Sequence, residues 1–74
     1  MNIPSTDFDT AAARCRSLIR QGWLDELQVE AQLIRHLPLR ELRIGGFVCL
    51  VYVQPKAHAL LLTAGGRSLL LSRP

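Results

Sequence analysis

The feature that most constrains this chain is the spacing of turn signals in its second half. Gly45-Gly46 divides Leu39–Ile44 from Phe47–Val53; Gln54-Pro55-Lys56-Ala57 separates that run from His58–Thr63; Ala64-Gly65-Gly66 separates the last from Arg67–Ser72. Glycine supplies the positive φ of tight hairpin turns, and proline presets the φ of a turn's first corner. A parallel connection needs a crossover of a dozen residues or more, so links of two to four residues predict antiparallel neighbours. The runs Val48-Cys49-Leu50-Val51-Tyr52-Val53 and Leu60-Leu61-Leu62 are apolar at odd and even positions alike. A sheet with water on one side does not need that. The expectation is a sheet that curls into a small barrel or meets another subunit.

Ahead of the strands, Phe8, Ala11, Ala12, Cys15, Leu18 and Ile19 recur at spacings of three and four. That stripe predicts an amphipathic helix over about residues 7–21. Ser5 or Thr6 is placed to cap it, Asp7 and Asp9 suit the positive end of its dipole, and Gly22 is placed to end it. Arg16 and Arg20 lie off the stripe, one turn apart, as solvated arginines or as a contact for a partner.

The segment 23–37 carries two patterns. Leu27-Gln28-Val29-Glu30-Ala31-Gln32-Leu33 alternates strictly apolar and polar, the period of a half-buried strand. Trp23, Leu24, Leu27, Ala31 and Ile34 also form a helical stripe, and Glu, Gln, Ala and Leu are good helix formers. Seven unbroken alternations favour strand over a looser stripe of five, so the strand-rich part is expected over about residues 24–72. The fold class is then α+β: an N-terminal helix followed by a strongly bent antiparallel sheet or small barrel of four to five short strands.

At 74 residues the chain has room for one core and one domain. So small a core is commonly supplemented by disulfides, a metal or self-association. Cys15 and Cys49 are not closely spaced and read as free, buried thiols; with His36 and His58 they lack the short paired spacing of a metal site. Self-association remains, and the apolar content suits it, being 49% hydrophobic but only 5% aromatic. No run approaches the roughly 20 apolar residues that span a bilayer, and the start shows no basic residue followed by an apolar run. The expectation is a cytoplasmic protein without a membrane partner.

Nothing points to an enzyme. Cys49 sits in an apolar run, where burial disfavours the reactive thiolate. Asp25 and Glu26 are adjacent, and no backbone geometry makes adjacent carboxylates a facing acid and base couple. Gly65-Gly66-Arg67-Ser68 is too short for a phosphate-binding loop and lacks the helix that would follow one. No cofactor is expected. Charge is uneven: residues 1–32 hold three arginines against five acids, residues 33–74 six basic residues against one acid, for a net +3. The basic half either keeps an aliphatic sheet in solution or offers an electropositive surface to phosphates.

Two segments carry a family resemblance. Gly66-Arg67-Ser68-Leu69-Leu70-Leu71-Ser72-Arg73 resembles the second Sm motif, in which an arginine and a glycine precede an apolar strand; here their order is inverted. Gln54-Pro55-Lys56-Ala57-His58-Ala59-Leu60-Leu61-Leu62 is similar to the loop of the first motif, where an aspartate is followed four residues on by an asparagine and then an apolar strand. With one helix ahead of short antiparallel strands, the chain looks like an Sm-like small barrel, a family of ring-forming subunits many of which bind RNA. The resemblance places Gln54 at the aspartate position and His58 at the asparagine position, both replaced, with Arg67 beside them. It implies a homo-oligomer whose Arg43, Lys56 and Arg67 line a basic surface, with His58 stacking on a base of single-stranded RNA. The other expectation is a non-enzymatic oligomerising or protein-interaction module whose apolar strands bury against its own copies or a protein partner.

Overall fold

A computed structural model describes residues 2–33 and 39–73. The chain is α+β. Helices α1 (Ser5–Arg20) and α2 (Trp23–Leu33) are followed by strands β1 (Leu39–Ile44), β2 (Phe47–Gln54), β3 (Ala59–Ala64) and β4 (Arg67–Ser72). The strands form one antiparallel sheet in the order β1-β2-β3-β4.

Helix α1 buries Phe8, Ala11, Ala12, Cys15 and Ile19, the stripe read from the spacing apart from Leu18, which is half-buried. It starts earlier than expected, and neither Ser5 nor Thr6 caps it. Pro4 stands at the cap position, and its carbonyl accepts from the Phe8 amide at 3.0 Å. Proline holds the residue before it in extended backbone, so the chain turns helical immediately after Pro4. The Thr6 carbonyl instead accepts from the Thr10 hydroxyl at 2.9 Å. Ile3, nearly fully buried, donates its amide to the Gly65 carbonyl at 3.1 Å and pins the entry of the helix to the β3–β4 turn. Gly22, at φ +99°, closes the other end by donating to Ile19.

Residues 23–33 are helix, which corrects the strand expected there. Leu24 and Leu27 are buried, with Trp23 and Ala31 packed against the core beside them. Val29 is 56% and Leu33 79% exposed, although the alternating pattern would put both on the buried face with Leu27. The Gly22 carbonyl that follows α1 accepts directly from Glu26, so a second helical turn starts at once. A run rich in Glu, Gln, Ala and Leu then propagates it. His36 lies outside the described residues.

The strands fall where the turn signals put them. Gly45-Gly46 and Gly65-Gly66 each supply two consecutive positive φ values, +56° and +82°, then +46° and +83°. Such pairs make two-residue hairpins whose twist matches the flanking strands. Between β2 and β3 the chain makes a short 3₁₀ turn (Pro55–Ala57), with His58 left-handed at φ 50°. Of the bent sheet and the small barrel expected as alternatives, the barrel is not formed: the sheet is open, and among the described residues β1 pairs only with β2 and β4 only with β3. Four strands are too few to close around a filled interior, and the two helices cover one face instead.

That covered face holds the core. Cys49, Val51 and Val53 of β2, Leu60 and Leu62 of β3 and Leu71 of β4 meet the apolar sides of both helices, and among the described residues no polar or charged side chain is buried with them. Two ion pairs pin α2 to the sheet: Arg40 of β1 with Glu30 at 2.5 Å, and Arg73 beyond β4 with Asp25. Exposed pairs of this kind contribute about 0–1 kcal/mol each.

Cys15 and Cys49 are free and fully buried on facing elements. Burial, then the neighbouring Cys49, pushes the Cys15 thiol from 9.0 up to about 11; burial, then Asp7, also raises Cys49. A thiol held protonated in the fold but free to ionise in the unfolded chain makes stability fall as pH rises above about 9. The loss is complete for Cys15 once pH passes about 11 and amounts to roughly 2–3 kcal/mol. The urea midpoint is therefore expected to drop between pH 8 and pH 10.5, and to drop much less in Cys15→Ala. An equal drop in that variant would assign the effect to other groups.

Candidate interaction surface

Strand register sorts the residues into two faces. Leu42 opposes Cys49, Val51 opposes Leu62, and Leu62 opposes Leu69, so these point to the helices. Their neighbours point outward: Glu41 and Arg43 on β1; Val48, Leu50, Tyr52 and Gln54 on β2; Leu61 and Thr63 on β3; Ser68, Leu70 and Ser72 on β4. Tyr52, Leu61 and Leu70 form one row across three strands. No other element of the described residues covers this outer face. Val48 is 43% and Leu70 53% exposed, and Leu50, Tyr52 and Leu61 are half-buried.

The outer face has relief as well as apolarity. Val48, Leu50, Thr63 and Ser68 line a shallow hollow of about 370 Å³ with the Ala64–Arg67 turn, and Leu70 stands proud beyond it. Its charged side chains among the described residues are Glu41 and Arg43, one of each sign.

The residues singled out from the sequence are not brought together. Gln54, Lys56 and His58 sit at the β2–β3 end of the sheet; Arg43 and Arg67 sit at the opposite end, beside the two glycine turns. Five residues of strand, roughly 17 Å, separate the two groups. Arg67 points to the helix side, where its guanidinium lies 4.5 Å over the Phe8 ring and donates to the Ser5 hydroxyl at 3.2 Å. It joins α1 to β4 and is turned away from the outer face. His58 Nδ1 lies 3.2 Å from Gln28 Nε2, and Arg73 donates to Gln28 Oε1 at 3.4 Å as well as pairing with Asp25. That polar chain ties α2 to the β2–β3 turn. Lys56 and Arg43 are exposed.

Among the described residues no group of His, Cys, Asp and Glu could hold a metal ion, and no helix is long and apolar enough to cross a membrane. Reading the sequence did not single out Leu70, Tyr52 or the hollow, because an apolar run with both parities filled does not say which parity faces the helices. It also did not join Arg16 and Arg20 to β4. They line a notch of about 200 Å³ with Ile19 and Ser72, an arrangement only the docking of α1 creates. Compared with protein-family models, curated proteins and solved structures, the chain matches none.

Proposed function

We propose that this protein is a non-enzymatic assembly module that associates with a second copy of itself through the outer face of its sheet. The observation that carries this is the row Tyr52, Leu61 and Leu70, which no other element of the described residues covers, beside a hollow in the same face. A surface holding both a projecting leucine and a hollow is complementary to itself under a two-fold axis, which places each copy's projection against the other's recess. Charge favours the same occupant. The chain carries +3 overall, yet this face carries one acid and one base, so it is where two copies repel least and where Glu41 and Arg43 can exchange partners.

Size sets the strength. Four strands about 4.8 Å apart and six residues of about 3.4 Å give a face of roughly 400 Å², so a pair buries roughly 800 Å². Stable interfaces bury about 1,200–2,000 Å², which puts this one in the reversible, micromolar class. A single-stranded RNA surface, by contrast, calls for a continuous cationic track with aromatic platforms. Here the basic residues stand at opposite ends of the sheet and Arg67 is engaged by Phe8 and Ser5, so self-association accounts for more of the surface.

Sedimentation equilibrium over a concentration series tests the reading. The wild-type mass is expected to rise from 8.3 kDa toward twice that value, with a midpoint in the micromolar range. Leu61→Lys and Leu70→Lys should each weaken the dimer about 100-fold or more while leaving circular dichroism unchanged, because a charge at the centre of an apolar contact must be desolvated without a partner. A wild-type chain that stays at monomer mass up to about 1 mM would reject the proposal.

A further inference from the structure

We infer that the free edge of β4 accepts an extended acidic peptide, whose backbone adds to the sheet as a fifth strand while a carboxylate docks between Arg16 and Arg20.

The two edges of the sheet differ in chemistry. Strand β1, Leu-Arg-Glu-Leu-Arg-Ile, is charged at three of its six positions. Charged side chains on an edge strand deter the addition of another strand. Strand β4, Arg-Ser-Leu-Leu-Leu-Ser, has one charged residue at its start, and that guanidinium is folded back over the Phe8 ring. Five uncharged residues remain, with no proline and no bulge in their register against β3. The amides and carbonyls that β4 turns away from β3 have no backbone partner among the described residues. This is the condition under which a peptide gains main-chain hydrogen bonds by lying alongside.

The notch at the end of this edge supplies the chemical preference. Helix α1 runs alongside β4, with Ser5 against Arg67 at one end and Arg16, Ile19 and Arg20 against Ser72 at the other. Three arginines of the sheet and its C-terminal end have partners: Arg40 pairs with Glu30, Arg73 with Asp25, and Arg67 stacks on Phe8. Arg16 and Arg20 are exposed and make no hydrogen bond or ion pair among the described residues. Like charges one helical turn apart repel, and an anion between them relieves that repulsion. Two guanidiniums offer the forked donors that a carboxylate takes in pairs, and Ile19 gives the notch an apolar wall. An extended peptide carrying acidic residues at one end meets both requirements. This inference is independent of self-association through the outer face.

The probe is a fluorescein-labelled peptide of nine residues, alternating valine and threonine and ending in two glutamates, with a second in which both are glutamine. Anisotropy is expected to saturate in the micromolar range with the acidic peptide and to weaken at least tenfold with the neutral one. Arg16→Glu/Arg20→Glu should abolish the preference for acid. Deuterium exchange at the amides of Ser68, Leu70 and Ser72, which alternate with those that face β3, should slow several-fold when the acidic peptide is bound. Leu61→Lys, which removes outer-face association, should bind the peptide as the wild type does. No saturable binding up to about 1 mM would overturn the inference, as would binding indifferent to the two arginines or binding that leaves exchange in β4 unchanged.

Discussion

Val51→Lys is expected to unfold the chain at 25 °C, whereas Leu61→Lys, one strand away, leaves it folded. Val51 is fully buried and points to the helices, where it meets the layer of Leu60, Leu62, Leu24 and Leu27. No acid of the described residues lies in that layer, since none of their charged side chains is buried with the core. An unpaired ammonium there costs about 3–5 kcal/mol before the lost packing of the valine is counted. A domain of this length holds about 4–11 kcal/mol in all, and small domains sit at the low end of that range. Leu61 faces outward in the row with Tyr52 and Leu70, so the ammonium of Leu61→Lys reaches water. Circular dichroism with urea titration separates the two. A folded Val51→Lys with a near wild-type midpoint would mean that the helices do not cover this face as described.

The second large effect concerns α2. Val29→Pro is expected to cost about 3 kcal/mol or more, because proline inside a helix removes an amide donor and clashes with the carbonyl four residues back, here that of Asp25. Val29→Ala is the companion measurement, since its sign depends on which secondary structure residue 29 occupies. At an exposed position in a helix, alanine is more favourable than valine by about half a kcal/mol, so the midpoint should rise. In a half-buried strand the same change removes packing and β propensity, and the midpoint should fall. Val29 is more than half exposed, so packing contributes little to either outcome. A fall in Val29→Ala would restore the strand reading of the alternating run.

Residue 29 also shows where local pattern stops being informative. From Leu27 to Leu33 the sequence satisfies the strand period at every position and the helix period at most of them, so periodicity alone ranks them wrongly. What decides is the next level of organisation. The meander leaves one face of a four-stranded sheet bare of backbone cover, and a helix reaching back from Gly22 buries Leu24 and Leu27 there at the cost of exposing Val29 and Leu33. The barrel expectation failed for a related reason. Runs apolar at both parities are expected to close into a barrel or to meet another subunit on one face. Two helices cover one side, and the other is left as the outer face.

The candidate sites divide along the same line. Arg67 stands out in the sequence because it follows two glycines, yet its surroundings are set by the arrival of Phe8 and Ser5 from a helix some sixty residues earlier. Gln54, Lys56 and His58 are close together because one turn holds them, and no sequence pattern could bring Arg43 to them across the length of the sheet.

By itself the sequence determined the stripe of α1, the four strands, their antiparallel order and the burial of both cysteines. These follow from short-range physics: a 3.6-residue period, glycines at positive φ and connections too short to cross over. Only the tertiary structure decided that residues 23–33 are helix, which parity of each apolar strand becomes core and which becomes surface, and that Arg16 and Arg20 stand over the end of β4. Each of those depends on which surfaces meet across the layers, and the free energy of burying one apolar face against another is a property of the pair that neither segment encodes alone.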